Sequence, residues 1–192
     1  MNYDAETLIE KFTLGDDCQA DESAKILASM GEPVIPRLRE LLGSAEEDNR
    51  WWAVRTFSLM KETPDEIFIK MLSDVSVEVR KCAALSIFNN PSTNAIGKLV
   101  ELLSDIDPMM ANLAANAIIA IGNKSLPCLL NGISNMEGLG RIEAYRAIAC
   151  LNNHDAIPIL MEGLEDDSHL VNYWAEEGLT KLGLDMVYIK ND

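Results

Sequence analysis

Residues that commonly carry catalysis or bind metal ions are few and scattered in this chain of 192 residues. The two histidines, His154 and His169, do not form the HExxH pattern that places two metal ligands on one face of a helix. No nucleophile elbow, phosphate-binding loop or dinucleotide fingerprint occurs, and the GLGR stretch at 138–141 is typical of a turn before a helix. We therefore expect no catalytic residues, no metal site and no cofactor.

Clusters of carboxylates raise the question of calcium binding. They stand at Asp16–Asp17, Glu46–Asp48 and Glu165–Asp167, and none has the ligand spacing of an EF-hand loop. Each cluster precedes a predicted helix, where carboxylates accept hydrogen bonds from free N–H groups and oppose the helix dipole. We interpret the clusters as helix caps.

The cysteines and the hydropathy pattern predict a cytoplasmic protein. No CxxC spacing occurs, and all four cysteines lie in or beside apolar helical segments, as reduced thiols of a cytosolic core do. They are Cys18, Cys82, Cys128 and Cys150. The N-terminal MNYDAETLIEK has acids where a signal peptide has bases, and no apolar run approaches the roughly 18 residues of a membrane span. We expect no membrane partner.

The charge is strongly negative, with 16 basic and 31 acidic residues and a formal net charge of −15. Such a field repels nucleic-acid phosphates, so we expect no nucleic-acid partner. Trp51, Trp52 and Trp174 invite comparison with alkylpurine DNA glycosylases, but those enzymes cradle DNA on a basic face. The charge favours a basic protein partner or serves solubility alone.

Three columns of residues recur at intervals of 30 or 31 positions. The alanine column is Ala53, Ala83, Ala114, Ala144 and Ala175. Four residues later stand Phe57, Ile87, Ile118, Ile148 and Leu179, and eleven residues earlier stand Leu42, Leu72, Leu103, Ile133 and Leu164. A period of this length predicts a solenoid, and alanine suits positions where another backbone comes close.

The residue pattern within each repeat predicts a leucine-rich first helix, then a short acidic turn, and then a second helix that carries the alanine column. Prolines near the starts of first helices and glycines at the ends of second helices mark the boundaries, at Pro36, Pro127, Pro158, Gly122 and Gly183. The predicted fold is an all-α, right-handed solenoid of about six helical hairpins in a single domain over 1–192. Its segments are an N-terminal capping hairpin at 3–31, repeats at 33–61, 64–91, 94–122, 125–152 and 155–183, and a tail at 184–192.

The stretch DVSVEVRKCAALSIF at 74–88 resembles HEAT-like repeats of the phycobilisome-lyase type, in which an Asp lies in the turn and a Val-Arg pair opens the second helix. DDSHLVNYWAEEGL at 166–179 matches in part. The turn column holds Asp74, Asp105 and Asp166, with Ser44 and Asn135 in the other two places; the arginine column holds Arg50, Arg80 and Arg141, interrupted by Ala111 and Asn172. The resemblance covers about residues 20–183 and implies a HEAT-like or armadillo-type superhelix with an interrupted Asp–Arg ladder, but no particular activity.

The side of each second helix that faces away from the buried columns is the predicted binding surface. With about 3.6 residues per turn, it holds the positions two before, one after, two after and five after each alanine. Aromatic and aliphatic residues stand there where a solvated face would be charged, which favours a protein-binding concave face. The predicted partner-binding residues are Trp51, Arg55, Lys81, Leu85, Phe88, Asn112, Asn116, Ile119, Ile142, Tyr145, Arg146, Tyr173 and Glu177. Packing between repeats is the other explanation for this strip.

The leading functional hypothesis is a non-enzymatic scaffold or adaptor, a monomer or weak homodimer, that binds a protein partner on the concave face. One alternative is an acidic inhibitor or immunity protein that blocks a basic effector such as a nuclease. The other alternative, a lyase-like chaperone for a phycobilin chromophore, is implied by the resemblance alone.

Overall fold

In a computed structural model, residues 4–184 are described, the side chain of Thr13 excepted, and they form helices that follow one another in pairs. The pairs are α1 (Ala5–Leu14) with α2 (Asp17–Met30), α3 (Ile35–Leu41) with α4 (Glu47–Leu59), α5 (Asp65–Met71) with α6 (Val77–Asn89), α7 (Ile96–Leu102) with α8 (Pro108–Ile121), α9 (Leu126–Gly132) with α10 (Gly138–Leu151), and α11 (Ile157–Gly163) with α12 (His169–Lys181). No strand occurs in this range. The predicted all-α solenoid of six helical hairpins is confirmed.

The chain divides into two compact units, Met1–Ile87 and Phe88–Asp192. The first unit contains α1 to α5 and most of α6, and the second contains α7 to α12. Each helix pair lies within one of the predicted segments. The single domain over 1–192 stays a prediction, and the predicted tail lies outside the described residues from position 185 onward.

The alanine column is the line along which second helices meet. In the second unit α8 packs on α10 and α10 packs on α12, and Ala114, Ala144 and Ala175 are all fully buried. In the first unit α2 packs on α4, with Ser23 and Ala53 at the equivalent, buried positions. A short side chain at these points lets two helix backbones approach closely, because no larger group holds them apart.

Three glycines of the second unit extend this close packing. A Cβ atom on Gly163 would lie 2.9 Å from the Cβ of Ala175, and one on Gly178 would lie 3.2 Å from the Cα of Ala149. A Cβ atom on Gly140 would lie 3.2 Å from the carbonyl oxygen of Leu103. Any side chain at these sites would have to push neighbouring helices or turns apart.

The aliphatic columns form the core as predicted, with one exception. The column after the alanines is buried, at Phe57, Ile87, Ile118, Ile148 and Leu179. In the leucine column of the first helices, four of the five members are buried, at Leu42, Leu72, Leu103 and Ile133. Leu164 is only half-buried.

The predicted helix boundaries agree with the structure. Gly122 and Gly183 have φ values of 83° and 78°, a left-handed backbone that glycine adopts without a steric penalty, and they follow the ends of α8 and α12. Pro36, Pro127 and Pro158 are the second residues of α3, α9 and α11, where a helix needs no N–H donor.

The acidic clusters act as caps only in part. Asp16 Oδ1 accepts a 2.8 Å hydrogen bond from the N–H of Gln19, as predicted. Glu46 stands at the cap of α4 without a side-chain hydrogen bond to the helix, so the predicted capping bond is absent there, although Glu47 and Asp48 lie in the first turn, where they oppose the helix dipole. The longer glutamate side chain is a poor cap, whereas the shorter Asp107 accepts a 2.8 Å bond from the N–H of Met110.

The prediction that all four cysteines belong to a core is wrong for Cys18, which is exposed near the start of α2. Cys82 is buried, and burial raises the pKa of its thiol to about 12. Cys128 and Cys150 are half-buried, and all four thiols are free.

The Asp–Arg ladder of the turns is present with gaps. Arg50 Nε and Nη2 lie 2.8 and 2.9 Å from the two carboxylate oxygens of Asp74, and both side chains are buried. Arg50 also donates to the carbonyl oxygens of Ser44 and Ala45, so it ties its own turn to the next one. In the second unit Arg141 Nε donates to Asp166 Oδ2 at 2.7 Å.

At one interruption of the arginine column, Asn172 makes the hydrogen bonds to backbone carbonyl groups that the arginine makes elsewhere. Its Nδ2 donates to the carbonyl oxygens of Asp166 and Gly163 at 2.8 and 2.9 Å, which holds the turn before α12. The shorter amide binds the carbonyl groups of its own turn as Arg50 does.

Within residues 4–184, no single helix has both the length and the apolar composition to cross a membrane. Pro108–Ile121 and Asn123–Asn135 meet both criteria only when joined, and they are bent by 113°.

We expect Ala114→Leu and Ile118→Ala both to lower the free energy of unfolding, the first by adding volume to the core and the second by removing it. Ala114→Leu overpacks the contact between second helices and costs about 1–3 kcal/mol, and Ile118→Ala leaves a cavity and costs about 2–5 kcal/mol. Urea denaturation measures both changes. The control is the same substitution at an exposed position, Ala45→Leu, which should leave stability unchanged. Wild-type stability in Ala114→Leu would contradict close packing along the alanine column.

We expect Asp74→Asn to lower stability at neutral pH far more than at acid pH. Burial alone would raise the pKa of Asp74, but hydrogen bonds from Arg50 and from the N–H of Ser76 outweigh it and hold the pKa below its usual range. Stability from this carboxylate is therefore present above its unfolded pKa and is lost as the pH falls through the lower folded value.

Urea titrations of Asp74→Asn should therefore show a loss of stability near pH 7 that shrinks below about pH 4, where the wild-type carboxylate is itself protonated. The exposed Asp167→Asn is the control. Equal losses at both pH values would show that the charge of Asp74 does not stabilise the fold.

Candidate functional site

The candidate site is the exposed side of the second helices, which we call the second-helix face. In the second unit it consists of α8, α10 and α12, which pack side by side. Its predicted residues here are exposed or half-buried, namely Asn112, Asn116, Ile119, Ile142, Arg146, Tyr173 and Glu177. Amide, aliphatic, guanidinium, aromatic and carboxylate groups are therefore accessible on one face.

A hydrogen-bond network joins α8 to α10 across this face. Arg146 Nη1 donates to Asn116 Oδ1 at 3.0 Å and Nη2 donates to the carbonyl oxygen of Asn112 at 3.3 Å. Asn116 Nδ2 in turn donates to Asn112 Oδ1 at 3.1 Å. Both amide groups therefore make hydrogen bonds within the protein that orient them.

A buried carboxylate, that of Glu143, holds Arg146 in this network. Its Oε2 accepts a 2.7 Å hydrogen bond from Arg146 Nε, and the glutamate is buried. The pair lies three residues apart on α10, a spacing that brings side chains together on a helix. This carboxylate neutralises Arg146 and holds its guanidinium group toward α8.

On α12 an aromatic ring and a carboxylate share one stripe of the surface. Tyr173 is exposed and Glu177 half-buried, and residues four apart on a helix are neighbours. Trp174 supports the tyrosine edge-on, with the ring centroids 5.0 Å apart. A ring beside a carboxylate suits the side chain of a lysine or arginine, through cation–π and ionic attraction.

The first unit has a second-helix face of its own. Trp51 is half-buried and meets Trp52 edge-on at 4.7 Å, and Leu85 is exposed. Arg55 Nη2 lies 3.2 Å from Asp21 Oδ1 on α2, and Lys81 pairs with Glu78 at 3.0 Å. Both cations are thus paired within the unit.

Tyr145 does not belong to the face, contrary to the prediction. It is fully buried, its hydroxyl donates to the carbonyl oxygen of Ile159 at 3.2 Å, and its ring lies against Gly163, where a Cβ atom would be 3.0 Å from Cζ. Burial raises the pKa of its phenol. Packing between repeats is therefore the correct explanation for this residue.

The prediction was wrong for most of the column of residues that directly follow the alanines. At the position one after each alanine, Val54, Ala84 and Ala115 are fully buried as well, and only Glu176 on α12 is exposed. A helix that is flanked by its own first helix and by other second helices buries a wider arc than a helix with one buried side. The small residues at Ala84 and Ala115 were a signal of that burial.

Two supporting carboxylates were missed by sequence reasoning. Glu143 could have been found from its spacing to Arg146 on one helix. Asp21 lies two positions before Ser23, so extending the columns into the first hairpin would have placed it beside Arg55.

The two histidines are both exposed and lie far apart in sequence. His154 is exposed at the start of the short turn before α11, and His169 is exposed at the first position of α12. Among residues 4–184, no group of three or more histidine, cysteine, aspartate or glutamate side chains is arranged to hold a metal ion.

Comparison with known proteins supports the architecture. No protein-family model matches the chain, and no curated protein matches it. An engineered protein of known crystal structure is similar, with 21% identity, a TM-score of 0.54, and coverage of 95% of this chain and 97% of that one. A designed armadillo repeat protein in complex with the peptide (KR)4 is also similar, with 19% identity, a TM-score of 0.53, and coverage of 93% and 99%.

At these identities the likeness shows the fold alone. The helical-repeat solenoid is therefore established, and some of the similar structures are designed armadillo repeat proteins. The narrower assignment to phycobilisome-lyase-type HEAT-like repeats stays a prediction.

We expect Tyr145→Ala and Phe88→Ala to differ sharply in stability. Loss of the buried tyrosine ring costs about 3–5 kcal/mol, whereas Phe88, which is 43% exposed, costs far less. Thermal and urea denaturation measure both, with Tyr145→Phe as a control that removes only the hydroxyl. Unfolding of Phe88→Ala as readily as Tyr145→Ala would place Phe88 in the core.

Proposed function

We propose that this protein is a non-enzymatic scaffold that binds an extended segment of a protein partner against the second-helix face. The observation that supports this most is the network of Arg146, Asn116 and Asn112. Ile119 follows Asn116 by three residues on α8 and Ile142 precedes Arg146 by four on α10, spacings that bring helical side chains together. Fixed polar groups beside accessible apolar ones are the usual composition of a peptide-binding surface.

Asparagine suits an extended peptide because its amide both donates and accepts hydrogen bonds. An extended segment presents an unpaired N–H and C=O at each residue, and its side chains alternate between two faces. Asn112 is exposed, so its amide is accessible from solvent. The aliphatic side chains of Ile119 and Ile142 would take up the alternate side chains of the segment.

The proposed partner segment is basic. The chain carries a net charge of −15, and Tyr173 with Glu177 on α12 forms a suitable environment for a lysine or arginine. The structure of a designed armadillo repeat protein of similar fold has been solved in complex with the basic peptide (KR)4. A cytoplasmic location and a monomeric or weakly dimeric state are further parts of the proposal.

The test uses the whole protein and fluorescently labelled (KR)4 peptide, followed by fluorescence anisotropy. We expect saturable binding that weakens about three- to tenfold in Glu177→Gln and in Asn112→Ala, because an interfacial charge or hydrogen bond contributes about 1 kcal/mol. The matched controls are Glu162→Gln on α11 and Asn131→Ala on α9, which are exposed on first helices.

Equal weakening in the control variants would show that the peptide is held by net charge alone and would contradict the proposed site. If (KR)4 does not bind, the basic character of the partner is wrong. Selection from a displayed library of unstructured peptides then tests the scaffold itself, and selected peptides whose binding ignores Asn112→Ala would refute it.

A further inference from the structure

An exposed apolar row lies along the turns between first and second helices of the second unit. We call it the turn edge, and define it as residues 104–110, 135–140 and 164–170. Ile106 is 97% exposed, Met109 61% and Leu170 55%, and Leu139 is also exposed. None of these residues belongs to the second-helix face.

The three turns lie side by side. Gly140, at the start of α10, approaches the turn before α8 so closely that a Cβ atom would be 3.2 Å from both the carbonyl oxygen of Leu103 and the Cα of Ser104. Arg141, the next residue, reaches Asp166 in the turn before α12 at 2.7 Å. Since packed helices are about 8–10 Å apart, successive turns present their apolar side chains at about that spacing.

The turn before α8 does not need the apolar side chain of Ile106. In the turn before α8, Asp105 Oδ1 accepts from the N–H of Asp107, and Asp107 Oδ1 accepts from the N–H of Met110, at 2.9 and 2.8 Å. Ile106 lies between the two aspartates with its side chain in solvent. A polar residue would serve the turn equally well, so the isoleucine calls for a role outside the fold.

The first unit has the same arrangement in one of its own turns. Val75 is 91% exposed and lies between Asp74 and Ser76, whose N–H donates to Asp74 Oδ1 at 2.8 Å. The aspartate again holds the turn, and an apolar β-branched side chain again points into solvent. The feature is therefore repeated and not confined to Ile106.

The turn edge also carries an excess of carboxylates. Its three segments contain six carboxylates and no lysine or arginine, the six being Asp105, Asp107, Glu137, Glu165, Asp166 and Asp167. Asp166 is paired with Arg141, which directly follows the second segment. Exposed apolar side chains flanked by carboxylates are complementary to a surface whose apolar side chains are flanked by cations. A second copy of this chain would bring like charges together, which disfavours a homodimer through this edge.

We propose that the turn edge binds an amphipathic α-helix of a protein partner whose apolar stripe is flanked by lysine and arginine. Successive heptads of an α-helix rise by about 10.5 Å, close to the spacing of the turns. A helix lying across the repeats therefore sets one apolar residue per heptad over each turn, near Ile106, Leu139 and Leu170. Its cations then face the carboxylates of the edge.

The test uses the whole protein and a labelled peptide of about 18 residues, composed of leucine and lysine in helical periodicity, long enough to span the three turns. Binding is followed by fluorescence anisotropy. We expect the double variant Ile106→Ser, Leu170→Ser to weaken binding about tenfold or more, because both apolar contacts are lost while no charge changes. Circular dichroism should show unchanged folding, since both side chains are exposed.

Met161→Ser is the matched control, because Met161 is exposed on α11 outside the three turns. We expect it to bind like the wild type, and we expect a leucine–glutamate peptide of the same pattern not to bind. Equal affinity of the edge variant and the wild type, absence of binding, or binding of the glutamate peptide would overturn the proposal. Self-association of the wild type that is lost in the edge variant would assign the edge to a homodimer instead.

Discussion

The close approach of second helices, made possible by alanine and glycine, is the constraint on which the rest of the structure depends. In the second unit Ala114, Ala144 and Ala175 are fully buried, and Gly163 leaves room for both Ala175 and the ring of Tyr145. Larger residues would separate the helices and open the core around them. The distance between the helices in turn sets the distance between the exposed side chains of neighbouring helices and of the turns that join them.

Two sets of polar contacts secure that spacing and leave two surfaces accessible. At the turns, Arg50 with Asp74 and Arg141 with Asp166 join one turn to another within each unit. On the second-helix face, Arg146 joins α10 to α8 and fixes the amide of Asn116. The amide of Asn112 on the second-helix face and the apolar side chains of Ile106 and Leu170 on the turn edge remain exposed to solvent.

The sequence was informative wherever one residue type had to recur. The alanine column and the capping glycines each follow from a local steric need, so their spacing predicted them. The Asp–Arg pairs were expected only from the resemblance to HEAT-like repeats. Tyr145 was misplaced because a single helix does not reveal how many neighbours surround it. The turn edge was missed because Ile106, Leu139 and Leu170 come together only when three turns lie side by side.

The most direct test of close packing is the free energy of unfolding of Gly163→Ala, compared with Gly97→Ala by urea denaturation. A Cβ atom on Gly163 would collide with Ala175 and Tyr145, whereas one on Gly97 in α7 meets nothing within 4 Å. The account predicts a loss of about 1–3 kcal/mol or more for Gly163→Ala, and a gain of about 0.5–1 kcal/mol for Gly97→Ala. Wild-type stability in Gly163→Ala would contradict it.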